Sequence, residues 1–164
     1  MRKLALTSKT VCLLALMAFA SPAISIAPCF AADPSLPTLI EEAKQGSVIS
    51  QFELGMAYVQ GKGTAQNYPE AAKWFKSAAD QGNAEAQYNL GVMHALGEGM
   101  KQDYTEAAKW YRKAADQGNI NAQYSLGGMY YEGQGVKKDF AESAKLYRQA
   151  ASQMREALSR AAGN

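Results

Sequence analysis

The chain has 164 residues, of which 17 are basic and 15 acidic, and 48% of its residues are apolar. This length and composition are those of a single globular domain. No run of lysines and arginines is present that could follow a phosphate backbone, which excludes nucleic acid as the expected partner.

The first 31 residues have the layout of a secretory signal peptide. Three basic residues (Arg2, Lys3 and Lys9) precede an apolar stretch at 11–20, and small residues follow. A basic segment, an apolar segment and a small-residue cleavage region in this order direct a chain to export. The sequence therefore predicts a signal peptide at 1–31.

Cleavage is expected near Ala31 or Ala32, with Ala23 as a competing position. The alternative is an uncleaved membrane anchor. A spanning helix needs about 20 apolar residues, and Pro22 and Pro28 would interrupt it, so cleavage is favoured. The periplasm is the expected location, with secretion from the cell as the second choice. The membrane is expected to be a partner only transiently, through the signal peptide.

Removal of the signal peptide changes both charge and chemistry. The three basic residues leave with it, so 17 basic residues become 14, against 15 acidic ones. Cys12 and Cys29 also lie in this segment, so the mature chain is expected to contain no cysteine. Disulfides, thiol catalysis and cysteine-based metal sites are excluded on that basis.

Residues 32–37 contain two prolines and are predicted to form an irregular connecting segment. Residues 38–46 then match the end of a repeat, because the segment 43–46 (Ala-Lys-Gln-Gly) lies 36 residues before the similar segment 79–82. We predict that 38–46 is a half-repeat, a lone helix that covers the first full repeat as an N-terminal cap.

The remainder of the chain repeats one pattern three times, with the equivalent glycines Gly55, Gly91 and Gly127 spaced 36 residues apart. A fixed period of this size indicates a solenoid of stacked supersecondary units. The repeats are predicted at about 50–85, 86–121 and 122–154.

Each repeat is predicted to contain two helices, of which the first runs over 48–60, 84–96 and 120–132. A side chain that can cap a helix precedes each first helix, and paired glycines follow it. The caps are Ser47, Asn83 and Asn119, and the glycines are Gly61 with Gly63, Gly97 with Gly99, and Gly133 with Gly135.

The second helix of each repeat begins at a capping-box pattern, in which Asn67, Asp103 or Asp139 is followed three residues later by glutamate. The glutamate side chain is expected to face back to the capping residue. The first two of these helices are expected to end at Gln81-Gly82 and Gln117-Gly118. Met154 replaces the glycine in the third repeat, so the last helix either runs on or turns into a C-terminal cap at 155–162.

Apolar residues in each second helix recur every three or four positions and predict one buried face. Trp110 is expected in the core of this stack. The glycine of each Leu-Gly pair in the first helix is expected to allow close approach between helices.

The recurring pattern Ala-x-x-x-Leu-Gly-x-x-Tyr-x-x-Gly-x-Gly, followed by Ala-x-x-Trp-Tyr-x-x-Ala-Ala-x-Gln-Gly, resembles the Sel-one-like repeat, a relative of the tetratricopeptide repeat. The resemblance covers 38–153. It implies an all-α, right-handed, curved α-solenoid that binds proteins or peptides. Bacterial members are often exported and act in the envelope or in contact with host cells. The cysteine pairs of members linked to β-lactam binding are absent here, so that activity is not transferred.

Local departures from the family pattern are Thr64, Met100, His94 and Leu146. His94, the single histidine, occupies the position of Tyr58 and Tyr130, and is expected to be a packed polar aromatic residue rather than a ligand or base. The glycine turns follow helices rather than strands, which argues against a dinucleotide site. The sequence thus predicts no catalytic, cofactor or metal site, and no enzyme.

A binding surface is predicted from positions that differ between repeats, because identical positions build the stack. In the first helices these positions are spaced i, i+3, i+7 and form stripes, which would lie side by side with aromatic residues on a concave face. The predicted partner-binding residues are Phe52, Glu53, Met56, Gln60, Tyr88, Asn89, Val92, Leu96, Tyr124, Ser125, Tyr131 and Glu132. The alternative is that these positions are unconstrained surface.

The function expected from these features is a non-enzymatic adaptor or regulator of the bacterial cell envelope that binds a protein or peptide. One alternative is an envelope enzyme or ligand binder that acts on peptidoglycan fragments. Another is a secreted effector that acts on a host. A monomer is favoured over an oligomer.

Overall fold

The computed structural model describes residues 36–162, which form seven α-helices and, within that range, no β-strand. The helices are α1 (Leu36–Lys44), α2 (Val48–Gln60), α3 (Tyr68–Asp80), α4 (Ala84–Leu96), α5 (Tyr104–Asp116), α6 (Ile120–Glu132) and α7 (Phe140–Ala162). Consecutive helices pack on one another along the chain, which makes the protein an all-α solenoid. We call α2, α4 and α6 the first helices, and α1, α3, α5 and α7 the second helices.

The first helices have the bounds that the sequence predicts, because both ends are encoded locally. At the start of α4, the side chain of Asn83 accepts a hydrogen bond from the N–H of Ala86 at 2.7 Å. At its end, Gly97 has φ 75°, a left-handed conformation that only glycine adopts at little cost. Ser47 with Gly61, and Asn119 with Gly133, do the same for α2 and α6.

Only one of the two contacts of the predicted capping box is present at the start of α5, namely the hydrogen bonds to the side chain of the capping residue. Asp103 accepts from the N–H groups of Thr105 and Glu106, at 2.9 and 3.0 Å. However, its own N–H donates to the carbonyl of His94 at 2.9 Å rather than to Glu106. Glu106 pairs with Lys109 instead. The prediction of a reciprocal contact was wrong, because the end of the preceding helix supplies a backbone acceptor for the cap.

The helix α1 begins at Leu36, and therefore includes the last two residues of the segment 32–37 that was predicted to be irregular. Pro37 is tolerated there, because N–H groups in the first turn of a helix have no intrahelical acceptor. Residues 32–35 and the signal peptide predicted at 1–31 lie outside the described residues.

The helix α7 continues over 23 residues without a break, so the segment 155–162 is part of it rather than a separate cap element. The earlier second helices stop at Gly82 and Gly118, whose φ values are 92° and 86°. Met154 occupies the equivalent position, and a residue with a side chain pays a steric cost in that conformation. The helix therefore continues past the end of the repeat. No helix between 36 and 162 is long and apolar enough to cross a bilayer.

The core is shared between neighbouring repeats. One cluster joins α3 to α4 and to Trp110 of α5, with Phe75 and Leu90 almost completely buried. A second cluster joins α5 to α6 and to Leu146 of α7. Trp110 is 8% exposed, which confirms its predicted place in the core. Because each cluster spans two repeats, no repeat buries its apolar face alone.

The glycines of the Leu-Gly pairs lie directly against aromatic rings. A Cβ atom added to Gly55 would be 2.6 Å from Cε1 of Phe75, and one added to Gly91 would be 2.7 Å from Cδ1 of Tyr111. Such contacts are sterically forbidden, so any other residue would separate the two helices of a repeat. The predicted role of these glycines in close helix approach is confirmed.

A series of buried glutamines, which was not predicted from the sequence, also links the helices. In each repeat a first-helix glutamine donates from Nε2 to a carbonyl near the end of the preceding second helix. Gln51 reaches Ala43 at 3.1 Å, Gln87 reaches Ala79 at 3.0 Å, and Gln123 reaches Ala115 at 3.3 Å. Each of these carbonyls also accepts the N–H of the glycine that follows its helix (Gly46, Gly82 or Gly118), so the glutamine supplies a second hydrogen bond to it.

The oxygens of the same glutamines accept a second bond in two of the three repeats. Gln81 donates to Gln51 at 2.8 Å, and Gln117 donates to Gln87 at 2.7 Å. The Oε1 atom of Gln123 is buried with no hydrogen-bond partner among the described residues. Gln153, one period after Gln117, lies inside the continuous helix α7 instead of at a helix end.

Candidate functional site

The predicted aromatic residues of the first helices each stack on a ring of the second helix in the same repeat. The ring centroids are 5.8 Å apart for Phe52 and Phe75, and 5.7 Å apart for Tyr88 and Tyr111. Tyr124 and Tyr147 are 5.1 Å apart. Pairs in this range stabilise a fold beyond the area that they bury. These three positions therefore have a structural role as well as the proposed binding role.

The twelve predicted partner-binding residues divide equally by exposure. The half-buried ones are Phe52, Met56, Tyr88, Asn89, Val92 and Ser125, and the exposed ones are Glu53, Gln60, Leu96, Tyr124, Tyr131 and Glu132. Phe52 and Met56 pack against the first core cluster, while Tyr88 and Val92 pack against the second. We call the six exposed residues the first-helix surface.

Large apolar groups dominate the exposed part of this surface in the second and third repeats. Leu96 is 61% exposed, Tyr124 65% and Tyr131 58%. The Tyr131 ring also meets Phe140 edge-on, with centroids 5.4 Å apart. Exposed apolar side chains that lie near one another are typical of interaction sites, where tyrosine is enriched.

Two of the predicted partner-binding residues, Asn89 and Ser125, make polar contacts within the protein itself. The side-chain amide of Asn89 donates to the carbonyl of Glu85 at 2.8 Å, within α4 itself. Ser125 lies beside the phenol of Tyr111, whose pKa is raised chiefly by burial. Polar contacts of this kind reduce the donors and acceptors left for a partner.

A cavity of about 330 Å³ brings together three predicted residues at the N-terminal end of the stack. Glu53, Met56 and Gln60 line it from α2, while Leu36 and Leu39 line it from α1. The contribution of α1 to this cavity was not predicted, because the half-repeat 38–46 was expected to act only as a cap. Leu36, Leu39 and Ile40 are spaced i, i+3, i+4, and this spacing was the available signal for an apolar helix face there.

The second helices carry a polar cluster that no prediction included. Arg112 donates from Nη1 to Oε1 of Glu142 at 2.9 Å, and from Nη2 to the phenol oxygen of Tyr130 at 2.6 Å. The hydrogen bond from Arg112 lowers the pKa of the Glu142 carboxyl, and Lys145 adds to the effect. This cluster joins the second repeat to the third by directional contacts.

His94 is half-buried at the position of Tyr58 and Tyr130, and its Nδ1 atom is buried without a hydrogen-bond partner between residues 36 and 162. Within the same range, no three residues of the His, Cys, Asp and Glu types are close enough to hold a metal ion.

Comparison with known proteins gives the family. The model of the Sel1 repeat matches 48–83, 84–119 and 120–153. These matches keep the 36-residue spacing and begin two residues before the repeat starts predicted from the sequence. No curated protein sequence matches the chain.

Two solved structures share both fold and sequence with the chain. A protective antigen present in uropathogenic Escherichia coli strains, which displays an SLR fold, is 40% identical, with a TM-score of 0.71 over 73% of this chain and 26% of the antigen. A Sel1 repeat protein from Oxalobacter formigenes is 35% identical, with a TM-score of 0.71 over 75% of this chain and 51% of that protein. The chain thus spans about a quarter and about half of these relatives.

A third structure, Helicobacter pylori cysteine-rich protein B, supports the fold alone. It is 18% identical, with a TM-score of 0.57 over 72% of this chain and 84% of that protein. The three repeat matches, together with the two closely similar structures, show that the chain belongs to the Sel1 repeat family.

Proposed function

We propose that the chain is an exported, non-enzymatic scaffold of the bacterial cell envelope that binds a protein or peptide on the face formed by α2, α4 and α6. Sel1-repeat proteins are generally protein-interaction scaffolds. The observation that carries the proposal is the first-helix surface, where Leu96 of α4 and Tyr124 and Tyr131 of α6 are exposed.

An extended or helical segment suits this surface better than a small molecule. The exposed side chains are distributed over three helices rather than gathered around one enclosed pocket, so a ligand that contacts all of them must be long. Glu53 and Glu132, near the two ends of the row, would add contacts to basic groups.

Export is the second part of the proposal and has separate support. The basic residues at positions 2, 3 and 9 and the apolar segment 11–20 have the order of a signal peptide. Fractionation of cells that express the full chain would test it. We expect a shortened protein in the periplasmic fraction, and full-length protein in the cytoplasm would contradict export.

The binding proposal is tested by crosslinking in cells followed by affinity capture, with a variant chosen from the structure. Leu96→Glu combined with Gln60→Lys changes two exposed positions of the first-helix surface. Asp116→Lys is the matched control, since it changes the charge of an exposed residue on α5. Circular dichroism and thermal unfolding would verify that each variant folds.

A partner captured by the parent and by Asp116→Lys, but lost with the double variant, supports the proposed face. Equal capture by all three proteins would place the site elsewhere. Turnover of labelled cell-wall fragments by the purified chain would contradict the non-enzymatic function.

A further inference from the structure

A groove of about 540 Å³ lies between α6 and α7 at the C-terminal end of the stack. We call it the terminal groove, and define it by Ile120, Tyr124, Tyr147, Ala150, Ala151 and Met154. Most of its lining is hydrocarbon, and Met154 is 53% exposed. A concave apolar surface of this kind is typical of an interaction site.

The same surface is covered by a helix in the first repeat. Two periods before Ile120, Tyr124 and Tyr147 lie Val48, Phe52 and Phe75, which pack in the first core cluster around residues of α4. Phe75 is 1% exposed there, and Ala79, the equivalent of Ala151, is 2% exposed. The terminal groove therefore occupies the place where a first helix lies in the earlier repeats.

The helices that fill the two earlier grooves share a pattern. They present a small residue, a leucine four positions later and a methionine three positions after that. These residues are Ala86, Leu90 and Met93 in α4, and Ala122, Leu126 and Met129 in α6, and all six are buried. A small residue allows the helix to approach the groove floor, while leucine and methionine fill its width.

A polar contact accompanies the second of these interfaces. Arg112, on the edge of the groove filled by α6, donates to the phenol oxygen of Tyr130 at 2.6 Å and to Glu142 at 2.9 Å. Arg148 of α7 is one period after Arg112 and next to the lining residue Tyr147, so the repeat predicts it at the corresponding edge of the terminal groove. Its Nε donates to the carbonyl of Ala144 in its own helix, and no ion pair joins it to another described residue.

We propose that the terminal groove binds an α-helix of a partner protein, in the position that the first helix of a following repeat would occupy. The helix presents a small residue, a leucine and a methionine at the spacing found in α4 and α6. It also places a tyrosine or an acidic residue against Arg148. This site is separate from the first-helix surface, although Tyr124 borders both.

A second copy of the chain is disfavoured as the occupant. Each first helix is already packed on the preceding second helix, as α2 is on α1 through the Gln51–Ala43 hydrogen bond.

The direct test uses a fluorescein-labelled peptide with residues 119–133 of this chain, which carries α6 and both of its capping residues. Fluorescence anisotropy would measure its binding to the purified full chain. Ala151→Glu places a charge on the groove floor at an exposed position, and Ser152→Glu is the control one residue away. We expect at least tenfold weaker binding with Ala151→Glu, and no change with Ser152→Glu.

The polar contact is tested by a double-mutant cycle. Arg148→Ala is expected to weaken binding of the parent peptide severalfold, and to have little effect on a peptide with Tyr130→Phe. Equal losses with both peptides would show that Arg148 does not meet the phenol, and would overturn that part of the proposal.

A fusion protein that carries the α6 peptide on the same chain tests the proposal even if the free peptide binds weakly. The segment 119–133 is joined to the C-terminus through a flexible Gly-Ser linker, which raises its local concentration to about the millimolar range. We expect a higher urea midpoint than for a fusion with Leu126→Asp in the appended helix, and we expect Ala151→Glu to abolish the difference. Equal midpoints for the two fusions would overturn the proposal. A dimer of the unfused chain that Ala151→Glu dissociates would overturn it too, because a second copy would then be the occupant.

Discussion

Gly91 shows how a single residue sets the spacing of two helices. A Cβ atom at this position would be 2.7 Å from the Tyr111 ring, whereas one at Gly128 would be 3.4 Å from the Tyr147 oxygen. Both glycines lie inside first helices, where alanine has the better intrinsic propensity. The difference between the two sites is thus one of space rather than of backbone conformation.

Gly91→Ala is expected to lower the free energy of unfolding by about 1–3 kcal/mol, because Tyr111 must move. Gly128→Ala is the matched control, and should leave the free energy unchanged or raise it by up to about 1 kcal/mol. Urea unfolding of the two variants and the parent measures both effects. A loss of equal size in both variants would contradict the role of the close approach.

At this scale the sequence predicted the places of small and aromatic residues, and missed the buried glutamines, although Gln51, Gln87 and Gln123 recur at the same 36-residue spacing. Gly55 and Trp110 could be placed because their types have one plausible use at those positions. The burial of the glutamine series could not be predicted, because polar residues such as Gln51 and Gln87 are usually exposed. Their burial depends on carbonyls that only the stacked structure brings near them.

The glycine turns between paired helices form a contact between repeats. Gly135, at φ 65°, lies so close to the start of α5 that an added Cβ atom would overlap the carbonyl of Tyr104. Gly82, at φ 92°, has no heavy atom within 4 Å of the equivalent point. Both need the left-handed conformation, but only the first is also pressed against a neighbouring backbone.

Gly135→Ala is therefore expected to destabilise the chain more than Gly82→Ala. The backbone strain of about 1–2 kcal/mol is common to both, and overpacking adds about 1–3 kcal/mol for Gly135 alone. Thermal and urea unfolding would measure the difference. Equal destabilisation would show that the turn does not support the preceding repeat.

Asp103 makes the start of α5 sensitive to acid. The pKa of its carboxyl is lowered from its ordinary value of 3.8, first by the hydrogen bond from the N–H of Glu106. A carboxyl with a lowered folded-state pKa stabilises the fold well above pH 3.8, and this contribution is lost as the pH falls through the folded-state pKa. The equivalent cap in the first repeat is Asn67, which does not titrate.

Asp103→Asn is expected to keep the cap and to reduce the loss of stability between pH 5 and pH 2, since asparagine also caps helices well. Asn67→Asp should do the opposite and increase that loss. Urea midpoints measured across this range would check both variants. An unchanged pH dependence in Asp103→Asn would contradict the assignment.

Among the elements, the first helices were predicted with their observed bounds because a cap and a glycine mark each end. The start of α1 and the extent of α7 were less defined. Pro37 suggests a helix break in the sequence, although proline is tolerated in the first turn of a helix. Met154 replaces the glycine that would end the helix, but does not indicate at which later residue the helix ends. The six exposed residues of the first-helix surface remain a predicted site, since exposure alone does not identify a partner.

The whole molecule is an array in which the main packing is between consecutive helices. Its stability should therefore grow with the number of repeats, provided that the 36-residue register is kept. Duplication of residues 84–119, inserted after Asn119, adds one unit with both of its interfaces intact. A copy of 84–118 at the same place is the control, because it lacks the cap residue Asn119.

The 36-residue insertion is expected to raise the urea midpoint and to increase the m-value by roughly a quarter, because more surface is buried on folding. The 35-residue insertion should give a lower midpoint than the parent. Circular dichroism during urea titration would measure both quantities. A lower midpoint for the full duplication would show that the repeats do not act as interchangeable units.

The missing bond at Gln123 has a consequence for how the array opens. Gln51 and Gln87 each make side-chain hydrogen bonds both to the preceding second helix and to the glutamine that ends the following one. Gln123 is hydrogen-bonded only to the preceding helix. The helix α7 can thus detach without breaking this series. Its amide protons should exchange with solvent by local opening while those of α3 still require global unfolding.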